Sequence, residues 1–234
     1  MGEIIEGHLF TKIFDKLEYA ESFLDGNIRF TPLKNYILIE GGRKDLREGT
    51  NLNLQLDKTK IIMKIGEKMT PLPNFSGTLS ISSTEILEKK CLCLTLNRYS
   101  YNSELLNEKK EEEQIDYIFQ GITEEEIRKF GNQIVVIYDP ETFIKRVIEY
   151  FQGKNIFIKE GIVEYKDLSK FHGEILNEGF VKDIKYQSEN EYRMLADIAG
   201  EGIQEINIGS LRDIAIVMNY EQFKKIELVA KSEG

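Results

Sequence analysis

Glu189-Asn190-Glu191-Tyr192-Arg193 is the segment of this chain whose residue types and spacing point most directly to chemistry. In an extended segment alternate side chains share a face. The pattern therefore places Glu189, Glu191 and Arg193 on one side and Asn190 and Tyr192 on the other. Two carboxylates roughly 7 Å apart on one strand repel each other unless a cation or a ligand compensates. Arg193 supplies a cation at the next step. Two arrangements satisfy this requirement. One is a salt-bridged sheet face, common where surface strands alternate charges. The other is one wall of a polar cleft, where fixed carboxylates do acid, base or electrostatic work.

A second charged group lies in Gly41-Gly42-Arg43-Lys44-Asp45-Leu46-Arg47-Glu48-Gly49-Thr50, a loop too rich in glycine and charge for a core element. Arg43 with Asp45 and Glu48 nearby suits a loop-locking ion network, and Gly49 permits a positive φ. Cys91 and Cys93 stand two apart in an apolar, strand-like run. Strand positions i and i+2 point the same way but are too far apart for a relaxed disulfide. Two reduced thiols, at least one buried, are expected. The histidines, His8 and His172, are not at ligand spacing to the cysteines, so no metal is expected. Walker, dinucleotide-fingerprint, nucleophile-elbow and zincin patterns do not occur.

The elements that must position these residues read as a single α+β domain over residues 1–234. Residues 4–13 are strand-like, and Lys16–Leu24 is a helix with Leu17, Ala20, Phe23 and Leu24 on one face, ended by Gly26. Ile28–Phe30 is a short strand, and Pro32 opens a short helical turn through Tyr36 to Ile39. Residues 52–66 and 77–82 alternate as hairpin strands, and Lys90–Leu96 is an apolar strand. The acidic segment 103–130 is expected to be mostly helical, with a capping-box start at Thr123. Gln133–Tyr138 reads as a buried strand, and Asp139-Pro140 caps an amphipathic helix to Phe151. Strands follow near 155–165, 190–196, 203–208 and 213–218. Without a regular βαβ beat, the sheets should be mixed and mainly antiparallel, with flanking helices. Residues 1–30 and 180–218 are expected to meet in one sheet.

With 41% hydrophobic and 10% aromatic residues among 234, the chain can bury a sizeable core. Mean hydropathy is −0.34. No apolar run reaches the roughly 20 residues of a membrane span, and the N-terminus lacks a signal-peptide pattern. A cytoplasmic protein is expected. The net charge of −9 argues against broad nucleic-acid binding. Acidic runs at Glu108–Glu113 and Glu124–Glu126 read first as solvated helix faces and second as a surface for a basic protein partner.

In order along the chain, several short motifs resemble a widespread, poorly characterised bacterial and phage family with an E-x-E-x-R strand. They are Leu9–Phe14, Glu18–Gly26, Ile28–Phe30, Arg43–Gly49, Cys93–Thr95 and Glu189–Arg193. That family is similar in layout to ADP-ribosyltransferases. The resemblance implies an ADP-ribosyltransferase-like fold and a cleft for NAD, in which a carboxylate stabilises the positive charge that develops on ribose as the nicotinamide bond breaks. Glu191 is then the catalytic candidate, Glu189 the base and Arg193 their cation. Lys12 or Arg29 would pair with the diphosphate, and Tyr36, Tyr99 or Tyr192 would stack on a ring. The implied setting is phage–host conflict or toxin action. The alternative is a catalytically silent inhibitor on the same scaffold, binding a host protein through the acidic region.

Overall fold

Residues 4–38, 45–72, 76–102, 113–114, 117–118, 122, 124–226 and 229–230 are described by the structure, a computed structural model. In chain order the strands are β1 (Ile4–Phe14), β2 (Asn27–Pro32), β3 (Thr50–Gln55), β4 (Ile61–Ile65), β5 (Lys68–Leu72), β6 (Thr78–Ser82), β7 (Lys90–Asn102), β8 (Glu113–Gln114), β9 (Tyr117–Ile118), β10 (Gln133–Ile137), β11 (Ile158–Ile162), β12 (Glu164–Lys166), β13 (Gly173–Glu174), β14 (Val181–Asp183), β15 (Glu191–Ala196), β16 (Gln204–Asn207), β17 (Ala215–Asn219) and β18 (Val229–Ala230). The helices are α1 (Leu17–Leu24), α2 (Asn35–Leu38), α3 (Thr84–Glu88), α4 (Glu124–Phe130), α5 (Pro140–Gln152) and α6 (Tyr220–Phe223).

The fold is α+β with mainly antiparallel sheets, as the sequence pattern predicts. A nine-stranded sheet runs β11-β15-β7-β1-β10-β17, with β2 and β9 also on β7 and β16 on β2. Both chain regions expected to meet, 1–30 and 180–218, contribute strands to it. α1 and α5 cover one face. Phe143, Val147 and Phe151 recur every four residues along α5 and pack with Phe23 and Leu24 of α1 against Phe10, Leu92, Leu94, Val135 and Met194. Asp139 caps α5 by accepting from the Thr142 N–H at 3.0 Å, and Pro140 occupies the first turn. No described helix is long and apolar enough to cross a membrane.

Two expected elements differ. The alternation over 52–66 is divided between two strands: β3 pairs with β6, whereas β4 pairs with β5 across a turn at Gly66. A period of two marks a strand but does not choose its partner. The acidic segment 103–130 is helical over Glu124–Phe130 and extended over Glu113–Gln114 and Tyr117–Ile118. Residues 103–112 and the expected cap Thr123 lie outside the described residues.

One feature of the sheet sets up the site. β1 pairs with β7 as far as Thr11↔Thr95, then continues along β10 through Phe14↔Gln133. β2 joins the same edge of β7 only at Thr31↔Cys91 and Pro32↔Lys90. Between them, Leu92–Leu94 of β7 faces a split in the sheet. Lys12 reaches into it and donates from Nζ to the Cys93 carbonyl at 3.0 Å.

Candidate functional site: a charged cleft at the split in the sheet

β15 starts at Glu191, not at Glu189. A 3-10 turn over Ile184–Glu189 ends at Asn190, which has φ 42°. Asparagine tolerates this left-handed conformation better than most residues, and its side-chain amide donates to the Leu96 carbonyl. The expectation that Glu189 shares a strand face with Glu191 and Arg193 is therefore corrected: a turn separates them. Glu191 and Arg193 do share a face, opposite Thr95 and Cys93 of β7. Tyr192 points to the other face, where its ring lies 4.6 Å from Phe10 and its hydroxyl donates to Glu160.

Arg193 is 1% exposed and is held by polar partners. Its Nε donates to Glu191 Oε1 at 2.6 Å. Its Nη1 and Nη2 grip Glu48 Oε1 and Oε2 at 2.8 and 3.2 Å, and Nη1 also reaches the Gly179 carbonyl at 2.5 Å. Gly179 has φ 76°, a left-handed conformation that favours glycine, and a Cβ there would stand 2.8 Å from the end of the Leu195 side chain. Lys182 on β14 closes the array, donating to Glu189 at 2.5 Å and to Glu191 Oε2 at 3.1 Å. Three carboxylates thus face two cations, all but Glu189 buried.

Burial pushes the Glu191 carboxyl up, but Arg193 and Lys182 outweigh it and hold it well below the usual carboxylate range. Burial likewise opposes charge on Lys182, and Glu191 and Glu189 reverse that and raise it. Tyr165, whose hydroxyl accepts from the Glu191 N–H at 2.8 Å, is pushed up to about 12, chiefly by burial. Cys93 is raised by its neighbour Cys91, 3.8 Å away between sulfurs, and by burial. Both thiols are free. Beside the array, buried Asp45 accepts from the Arg47 N–H at 2.9 Å, and Arg47 pairs with Asp183 at 2.8 Å. Burial and Glu48 raise Asp45.

Two cavities meet here. The inner one, about 60 Å³, is walled by Glu191, Glu189, Lys182, Thr11, Thr95 and Tyr36 among others. That is room for a few waters. The outer groove, about 380 Å³, runs past Tyr19, Ser22, Asn27, Arg29 and Thr31, within the roughly 300–1,000 Å³ typical of small-molecule sites. Lys12, Ile13, Tyr36 and Cys93 line both, so the two adjoin at the split.

Of the residues singled out in the sequence, Glu191, Glu189, Lys12, Arg29 and Tyr36 thus lie along one cleft. Arg193 stands behind Glu191 and lines neither cavity. Tyr192 and Tyr99 lie elsewhere: Tyr192 in the helix-covered core, Tyr99 against the cluster around Leu9 and Ile134. Arg29 is exposed, pairs with Glu205 at 3.1 Å and sits over the Tyr19 ring. Glu48, read as part of a loop network with Arg43, instead anchors Arg193; Arg43 lies outside the described residues. Sequence reasoning missed Lys182, and it read Cys93 as a strand thiol without placing it in the cleft. A lysine between the apolar Val181 and a run leading into the acidic motif was the available signal for Lys182. His8 is exposed, and His172 accepts from the Gln55 N–H at 3.0 Å. Among the described residues no cluster of three or more His, Cys, Asp or Glu could hold a metal ion. Comparison with family models, curated proteins and solved structures returned no match.

Proposed function

We propose that this protein is an ADP-ribosyltransferase-like enzyme that cleaves NAD at the nicotinamide–ribose bond. The observation that carries this reading is an ionised, doubly anchored Glu191 carboxylate in the inner cavity, which shares Lys12, Ile13, Tyr36 and Cys93 with a groove large enough for part of a dinucleotide. In the reaction the C–N bond pair passes to the ring nitrogen and neutralises the pyridinium, while positive charge develops on the ribose. A fixed carboxylate in a water-poor site favours that charge without reorganising. Arg193 and Lys182 each engage one oxygen of Glu191, and the remaining lone pairs can accept from a ribose hydroxyl. Tyr36 offers a ring at the junction, Lys12 and Arg29 offer positive charge along the groove, and Glu189 is the candidate base for the acceptor.

Incubation with NAD labelled in the ADP-ribose part, with and without cell lysate, tests the reading. Mass spectrometry should detect free nicotinamide together with ADP-ribose or a labelled acceptor. Intact NAD in both incubations would reject it.

A further inference from the structure

The chain's two cysteines, Cys91 and Cys93, take no part in the chemistry proposed above. At i and i+2 on β7 they point to one face, and their sulfurs stand 3.8 Å apart. Both are free and both line the outer groove. Cys91 is buried, whereas half-buried Cys93 also lines the inner cavity and donates to the Tyr36 hydroxyl at 3.7 Å. A disulfide needs its sulfurs roughly 2 Å apart, and strand neighbours at i and i+2 reach that only by distorting the backbone. A single bridging atom asks for less. With bonds of roughly 2.3 Å, the zinc–thiolate length, it spans sulfurs up to roughly 4.6 Å apart. A bent bridge sets them roughly 3.5 Å apart, which a small change in a side-chain torsion supplies.

We infer that Cys91 and Cys93 form a dithiol site for a trivalent organic arsenical, with arsenic bridging the two sulfurs and the organic group lying in the outer groove. The reacting species is the hydrated arsine oxide, RAs(OH)2. One hydroxide leaves as water with the Cys93 thiol proton, and the first As–S bond forms. Cys91 repeats the step, so two S–H and two As–O bonds break, two As–S bonds form, two waters leave and arsenic stays trivalent. Cys93, open to both cavities, reacts first. Cys91 then closes the bridge across 3.8 Å as an intramolecular step, and needs no access of its own. A monofunctional alkylating reagent has to reach each sulfur separately. A thiophilic metal ion is a poorer match. It has to displace the thiol protons, and Cys91 and burial hold the Cys93 proton firmly. It also needs further ligands, and among the described residues no set of three His, Cys, Asp or Glu supplies them. Arsenic brings its own third substituent, and the bridged product is uncharged, as a buried site favours. The inference is independent of the NAD reading.

Phenylarsine oxide on the native full chain tests it. The reagent is removed, the protein is denatured in urea and treated with N-ethylmaleimide, and the intact mass is measured. Wild type should carry one phenylarsenic unit and no maleimide, because both of its cysteines are held. The adduct should survive excess 2-mercaptoethanol and come off with 2,3-dimercaptopropanol. Cys91→Ala should lose its adduct to the monothiol about tenfold faster or more, since only one sulfur then holds the arsenic. Cys93→Ser should form none in the native state, and circular dichroism checks that both variants fold. The wild-type maleimide count stands whether or not they do. A native wild type without adduct, or one that still takes maleimide at a cysteine after the adduct forms, would overturn the proposal. So would an adduct that Cys91→Ala keeps as firmly as wild type. Formation no faster than native alkylation of Cys91 would also overturn it, because the arsenical would then enter only through unfolding.

Discussion

Glu191 keeps its charge in a buried position because two cations reach it from different elements, Arg193 on its own strand and Lys182 on β14. Breaking a buried pair leaves an uncompensated charge, at a typical cost of about 3–5 kcal/mol. Glu48→Gln, which removes one of the two carboxylates on the fully buried Arg193 guanidinium and leaves its pair with Glu191, should lower stability by about 1.5–3 kcal/mol in urea melts, the scale of a hydrogen bond to a charged group. Glu205→Gln, which removes the partner of exposed Arg29, should change it by about 1 kcal/mol or less. The pH dependence follows from the same array. An unfolded glutamate titrates near roughly 4.3, and folded Glu191 is held below that. Its contribution is complete above that value and is lost as pH falls towards the folded-state value. Lys182, raised in the fold, contributes fully below the unfolded lysine value of roughly 10.4 and loses that contribution only above it. Asp45, raised by burial, works against Glu191 at acid pH. Urea midpoints measured from neutral to acid pH should fall below about pH 5, and Glu191→Gln should fall less steeply than wild type. The thiols give a further check: buried Cys91 should resist alkylation until the protein is denatured, whereas half-buried Cys93, its thiol raised, should react slowly in the native protein, and rapid labelling of both would contradict the packing. At this scale the alternation rule in the sequence placed Glu191 with Arg193 and failed at Glu189. The reason is Asn190, whose left-handed backbone breaks the strand without leaving an unmistakable sequence mark.

Among the elements, legibility tracked how local the determinant is. Asp139-Pro140 and the four-residue recurrence of Phe143, Val147 and Phe151 state a helix within their own span, and α5 follows them. Asp139→Ala should cost about 1 kcal/mol by leaving an N-terminal N–H without its side-chain acceptor, measurable as a lower urea midpoint with the fold retained. Strand partners are set by distant segments, so alternation over 52–66 concealed a division between two different pairings. The acidic composition of 103–130 suggested a helix through much of its length, but short strands at Glu113–Gln114 and Tyr117–Ile118 pair with β18 and β7. Composition reports solvation, whereas pairing depends on which edge is offered. The cleft has a similar origin: no single segment encodes it, because it arises where β1 parts from β7 before β2 takes its place.

Across the whole molecule, the first and last thirds of the sequence are joined in one sheet, with β1 between β7 and β10. Limited proteolysis should consequently not release the first thirty or so residues from a still-folded remainder, and a stable core lacking them would contradict the topology. The shared sheet also explains why residues as distant in sequence as Lys12, Tyr36, Cys93 and Glu191 line one cavity. Segment order gave the layout of strands and helices, whereas the buried Glu48–Arg193–Glu191–Lys182 array depended on long-range packing that order alone does not specify. The proposal of NAD cleavage rests on that array and its groove. The most direct measurement is nicotinamide release by wild type and Glu191→Gln, with urea melts on the same preparations to give each folded fraction. The account predicts release by wild type and a loss of about a hundredfold or more in the variant after correction for folding, the usual scale for removing an electrostatic stabiliser. Release by the variant in proportion to its folded fraction, or none from folded wild type, would contradict it.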